Sequence, residues 1–157
     1  MNNSILEQLK AHPFWRGMTP AHVNVITEGA QIVSFKPGEV IFREGEPANK
    51  FYVINSGSVA LEAHEPGDGT VLVNTLEAGS MLGWSWLFPP FFWHFQARAS
   101  APTDLIALDA ARLLRIAETD RDFGYELMKR VAQVVIQRLQ TTRQQLLQHQ
   151  LQSAPHG

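Results

Sequence analysis

Apolar positions change period twice along this chain, and the two changes divide it into three parts. Residues 4–30 carry apolar side chains at helical spacing in two short pieces. Ser4 can cap the first, which holds Ile5, Leu6 and Leu9, and Thr19 can cap the second ahead of Pro20 at its first position. His12-Pro13 separates them, because the residue before a proline is pushed out of helical backbone. Together the pieces form a small helical cover, with Phe14 and Trp15 as plugs.

From Gln31 to Asp109 the period shortens to that of strands. The runs QIVSF, VIF, FYVIN, SVALEA, TVLVNTL, FQARASA and DLIALD are cut by Lys36-Pro37-Gly38, Glu44-Gly45-Glu46, Asn55-Ser56-Gly57, Pro66-Gly67-Asp68-Gly69 and Glu77-Ala78-Gly79. Each separator holds a glycine able to take positive φ. Many short strands with turns between them predict a closed antiparallel β architecture, a β-roll or jelly roll.

After Asp109 the pattern returns to helix. Asp109 can cap a short helix through Ala117, and Thr119-Asp120 can start a long one reaching about Gln152, with Gly124 as its weak point. Such a helix is roughly 48 Å long at ~1.5 Å per residue, and half of it cannot lie on so small a roll. Met128, Ala132, Val135, Leu139, Thr142, Leu146 and His149 alternate steps of four and three, the spacing of two helices wrapped in a left-handed coil. A parallel homodimer through Met128, Val135, Leu139 and Leu146 is expected. Leu127, Val131 and Val134 form a neighbouring stripe that can face the roll.

One stretch fits neither period. Met81 to Phe95, MLGWSWLFPPFFWHF, packs Trp84, Trp86, Trp93 and four phenylalanines around Pro89-Pro90. It is too short for a bilayer, which needs roughly 20 apolar residues, and the proline pair breaks any helix. Buried core accounts for most of its aromatics. The apolar residues on every face, the entering Gly83 and the included His94 read as a turn-rich insertion lining a cavity.

The chain has 157 residues, enough for one domain with a real core and too few for a second. At 45% hydrophobic and 18% charged residues it is globular, and its net charge of -2 gives no electrostatic case for nucleic acid as the main partner. With no cysteine there is neither a disulfide nor a thiolate metal site. The N-terminus has no apolar leader core, so a cytoplasmic location is expected. Histidines at 12, 22, 64, 94, 149 and 156 form no pair at metal-ligand spacing. There is no Walker loop and no nucleophile elbow, and Gly67-Asp68-Gly69 is a hairpin turn by its setting. An enzyme is not expected. No acidic residue follows Leu127, while Lys129, Arg130, Arg138 and Arg143 do, which suits a weak nucleic-acid or partner face and better suits a solvated helix with positive charge toward its C-terminal half.

The order of helical cover, glycine-punctuated roll, insertion and long helix resembles the cyclic-nucleotide-binding domain of catabolite-activator and fumarate-nitrate-regulator type proteins. The resemblance spans about Leu9 to Arg143. Its specific part is FKPGEVIFREGEPANKFYVINSGSVAL, Phe35 to Leu61, where Gly38, Gly45 and Gly57 fall at the family's turn glycines. It implies one domain: helical cover 1–30, β-roll 31–109 with a cassette at 81–99, C-terminal helices 110–152 and a tail 153–157. The helix-turn-helix domain that follows in full-length regulators is not expected here, and direct DNA binding is not expected either.

In that family the cassette carries Phe/Leu-Gly-Glu, a one-turn helix, then Arg-Ser/Thr-Ala. The Glu takes the ribose hydroxyl, and the Arg and helix amides take the cyclic phosphate. Here Met81-Leu82-Gly83 matches the entrance, but Trp84 stands at the Glu position and Trp93-His94-Phe95 at the Arg-Ser-Ala position. The motif GWSWLFPP is similar to a subgroup of stand-alone bacterial members. Losing one charged phosphate contact costs ~1.5–3 kcal/mol, and losing the ribose acceptor as well weakens binding by roughly 10² to 10⁴.

The resemblance thus implies a ligand site at Leu82, Gly83, Trp84, Ser85, Trp86, Trp93, His94 and Arg98. No cofactor is assigned. A small planar ligand can stack on the indoles, or an anion can sit on the free amides of a helix N-terminus at Trp84 to Trp86. Arg98 is either recruited to an anion or simply a strand-pairing arginine, and His94 either a donor or a hydrogen-bonded core residue. The chain reads as a non-catalytic ligand-sensing regulatory module with altered specificity, acting through an unknown protein partner. The competing readings are a ligand-free dimeric interaction protein and a cyclic-AMP-type transcription-regulator relative.

Overall fold

In the computed structural model, which describes residues 2–67 and 69–153, two antiparallel sheets are flanked by helices at both ends of the chain. The expected tail, the capping side chain of Ser4, and Asp68 lie outside the described residues and side chains. Helices α1 (Asn2–Ala11) and α2 (Pro20–Thr27) come first. Seven strands follow: β1 (Ala30–Phe35), β2 (Val40–Phe42), β3 (Lys50–Ser56), β4 (Ser58–Glu65), β5 (Gly69–Glu77), β6 (Gln96–Ala99) and β7 (Thr103–Asp109). Helices α3 (Ala110–Thr119) and α4 (Arg121–Ser153) close the chain.

The strands order as β1-β7-β3 in one sheet and β2-β6-β4-β5 in the other, so the roll is two sheets rather than one closed barrel. Strand β7 is central in its sheet and paired on both edges, and its Leu105, Ile106 and Leu108 are fully buried. Between β3 and β4 the chain turns at Gly57, where φ is +97° and a Cβ would meet the Pro102 carbonyl at 2.4 Å. Only glycine fits a turn that is both left-handed and pressed on another strand.

Phe51 on β3 is the hub of the aromatic core. Phe14 meets it edge-on at 5.1 Å, Trp15 lies 5.5 Å away, and Trp86 from the aromatic stretch stacks on it at 4.5 Å. The expected plugs therefore join the N-terminal cover to the roll. His12 fixes the same junction: its Nδ1 accepts from the Phe14 amide, so its Nε2 carries the proton it donates to the Ile54 carbonyl at 2.9 Å. Thr19 does stand ahead of Pro20 at the start of α2, but its side chain makes no capping bond, and Pro20 at the first position sets the helix start.

Asp109 caps α3 through the Arg112 amide, and Asp120 caps α4 through the Phe123 amide at 3.2 Å. Gly124 has a packing reason, because a Cβ there would lie 2.7 Å from the Ala117 carbonyl where α3 and α4 meet. The 33 residues of α4 bury Phe123, Leu127 and Val131, and Phe123 meets His22 of α2 edge-on at 5.4 Å. Met128, Ile136, Leu139 and Leu146 are exposed, and Val135 is half-buried. No helix of the described residues is long and apolar enough to cross a membrane.

Candidate functional site

The aromatic stretch leaves β5 and enters the core at once. Met81 bridges Val53 and the Leu82 amide donates to the Tyr52 carbonyl at 3.1 Å, so this entrance is an extension of the sheet beside β3. Beyond it the chain makes one hydrogen-bonded turn, with the Leu87 amide donating to the Trp84 carbonyl at 3.0 Å. No helix forms between β5 and β6, and the expected helix N-terminus at Trp84 to Trp86 is absent. The prolines that follow Phe88 stop the turn from being extended.

After Pro89-Pro90 the chain swings through Phe91, whose φ of +61° is in the left-handed region, and is tied to the β2–β3 loop. The Ala48 amide donates to the Phe91 carbonyl, the Trp93 amide to Glu46, and the Gly45 amide to Trp93. These bonds fix the backbone at Phe91 and Trp93. Trp93 points inward and lies flat on Phe42, with centroids 3.8 Å apart and planes 9° apart. Phe88, Phe91 and Phe92 point to solvent.

The residues inferred from sequence separate accordingly. Leu82, Gly83, Trp84, Ser85, Trp93 and His94 line one cavity of about 170 Å³, together with Phe42 and Phe95. Ser85 Oγ and the exposed His94 Nδ1 share a hydrogen bond of 3.1 Å at its edge, so His94 is not a core residue. Gly83 faces the Trp93 ring so closely that a Cβ would be 3.3 Å from it. Trp86 does not line the cavity: it is fully buried on Phe51, and its Nε1 donates to the Gly83 carbonyl at 2.8 Å. Arg98 is not brought there either. Its guanidinium donates to Glu62 at 3.1 Å and to the Gly38 carbonyl at 2.9 Å, a strand-pairing role, and it does not line the cavity.

A different arginine supplies the positive charge. Arg138 reaches from α4 to line the cavity and donates to the carbonyls of Met81 and Leu82. Its guanidinium carbon stands 5.2 Å from the Trp84 ring centroid, a cation on an aromatic face. Burial lowers its pKa to about 10, which keeps it charged at neutral pH. Among the described residues no carboxylate pairs with it. Sequence reasoning placed Arg138 only in a solvated basic stretch. The available signal was its helical register: Leu127, Val131 and Val134 face the roll, and Arg138 follows Val134 by four.

No group of three or more His, Asp or Glu among the described residues is placed to hold a metal ion. The cavity is small, mostly aromatic and carries a single positive charge, so it can bind and orient a ligand.

Known proteins share this architecture. The model of the cyclic nucleotide-binding domain family matches residues 32–120, more than half of the chain. A CRP-like cAMP-activated global transcriptional regulator of Mycobacterium tuberculosis (strain CDC 1551 / Oshkosh) is 27% identical over 136 residues, 84% of this chain. The chain spans 57% of that regulator's length. A crystal structure from Geobacter metallireducens GS-15, described as a cyclic nucleotide-binding protein, shares 28% identity at a TM-score of 0.76 and covers 85% of this chain and 96% of that one. A cyclic nucleotide-binding domain from Methylobacillus flagellatus kt superposes with a TM-score of 0.78 at 19% identity over 94% of this chain and 83% of its own, a likeness of fold. With the sheet order, the helices at both ends and the family match in agreement, this chain belongs to the cyclic nucleotide-binding domain family.

Proposed function

We propose that this chain is a non-catalytic regulatory module whose cavity takes a small ligand other than a cyclic nucleotide. Arg138 links that cavity to α4, on which a homodimer forms through Met128, Val135, Leu139 and Leu146. The observation that carries the reading is Trp93. It lies flat on Phe42 at 3.8 Å, at the position where the family resemblance puts the phosphate-binding arginine. The space left is about 170 Å³, against ~300–1,000 Å³ for ordinary small-molecule sites. Phosphate cation and ribose acceptor are both replaced by indoles, and Arg98 is occupied by Glu62.

The regulatory role and a cytoplasmic place of action rest on the transcriptional regulators the chain resembles. The ligand-free alternative is favoured by the same stacking, since Trp86 and Trp93 both fill core. Intrinsic fluorescence separates these readings from a cyclic-nucleotide site, because Trp84 and Trp93 line the cavity. Titration with cyclic AMP and cyclic GMP should give dissociation constants of about 100 μM or weaker, by the loss of two charged contacts. Saturable quenching below about 10 μM would overturn the altered specificity.

A further inference from the structure

We propose that the ligand of this cavity is a single-ring aromatic carboxylate, with its carboxylate on Arg138 and its ring between Trp84 and Trp93. The inference rests on reading the cavity as a ligand site and adds the chemistry of what enters. Size sets the first limit: about 170 Å³ is close to the ~150 Å³ that accommodates benzene in an engineered apolar cavity. A fused base carrying ribose and phosphate exceeds that volume. Lining sets the second, since Phe42, Trp84 and Trp93 surround the space, and aromatic rings prefer offset stacking or edge contacts with such side chains.

Charge sets the third. Arg138 is half-buried, charged and without a carboxylate partner among the described residues, and its bonds to Met81 and Leu82 go to neutral carbonyls. Those bonds leave N–H groups of the guanidinium fork for a ligand, and a carboxylate matches that fork in a way a neutral group does not. The cavity wall contains no Asp or Glu that would repel an anion. His94 and Ser85 at the rim offer a further polar contact.

The test uses the full chain with benzoate as probe and benzamide as its neutral isostere, followed by tryptophan fluorescence and calorimetry at pH 7.5. Benzoate should bind saturably and at least tenfold more tightly than benzamide, the loss expected when a charged hydrogen bond is removed. Arg138→Gln should abolish that preference, and Arg138→Lys should retain part of it. Equal binding of benzoate and benzamide would overturn the carboxylate assignment, as would no benzoate binding at 10 mM or a preference surviving Arg138→Gln. The wild-type comparison stands by itself if Arg138→Gln loosens α4. Tight cyclic AMP binding in a parallel titration would instead sink the altered-specificity reading, so the two failures are distinguishable.

Discussion

Arg138 and His12 show how single buried groups decide the behaviour of this chain. Arg138 touches Leu82 across 56 positions of sequence, so no local pattern pairs them. Trp84 and Trp86 look equivalent in sequence, but the direction of one turn sends Trp86 into the core against Phe51 and leaves Trp84 under Arg138. That Trp84 and Trp93 stand at charged positions was implied by the family resemblance, and the cation on α4 was not legible. His12 titrates between the states of folding. Burial lowers its pKa below 6.5, and the neutral ring is held between the Phe14 amide and the Ile54 carbonyl. Because the folded pKa is depressed, its contribution is full above 6.5 and is lost as pH falls from 6.5 through the folded value. Melting temperature should therefore drop between pH 7.5 and 5.5, and His12→Gln should be less stable at pH 7.5 yet show a flatter pH profile. An unchanged pH profile in His12→Gln would show that other groups control the acid limb.

At the level of elements, short apolar runs located all seven strands, and the turns at Gly38, Gly45, Gly57, Gly67 and Gly79 separate the first five of them and close the fifth with residues at positive φ. Which strands share a sheet was not legible, since β1 pairs with β7 across the whole roll and only packing decides that. Gly124 read as a weak point from helix propensity, whereas its close approach to Ala117 makes it a contact point of α3 and α4. The distal half of α4 has little of the roll to rest on. Leu139 is 68% exposed and Leu146 58% exposed, so a stripe of apolar surface is left for a second copy. Leu139→Lys should give monomers in sedimentation at concentrations where the parent chain is a dimer, with melting of the roll little changed. A persisting dimer would place the interface elsewhere.

For the molecule as a whole, the fold is that of the family, and the changed recognition chemistry is what is proposed. Sheets, N-terminal cover and long helix follow the family, and the family model reaches residue 120. The cassette departs from it, with Trp93 filling space on Phe42 and Arg138 entering from α4. If this site no longer recognises cyclic nucleotides, thermal unfolding with 1 mM cyclic AMP will show little stabilisation. A ligand bound at about 1 μM would stabilise the fold by ~4.1 kcal/mol at that concentration, or roughly 8–16 °C for a chain of this size. A dissociation constant of 100 μM or weaker should give a rise of no more than about 6 °C. A rise of about 8 °C or more would contradict it.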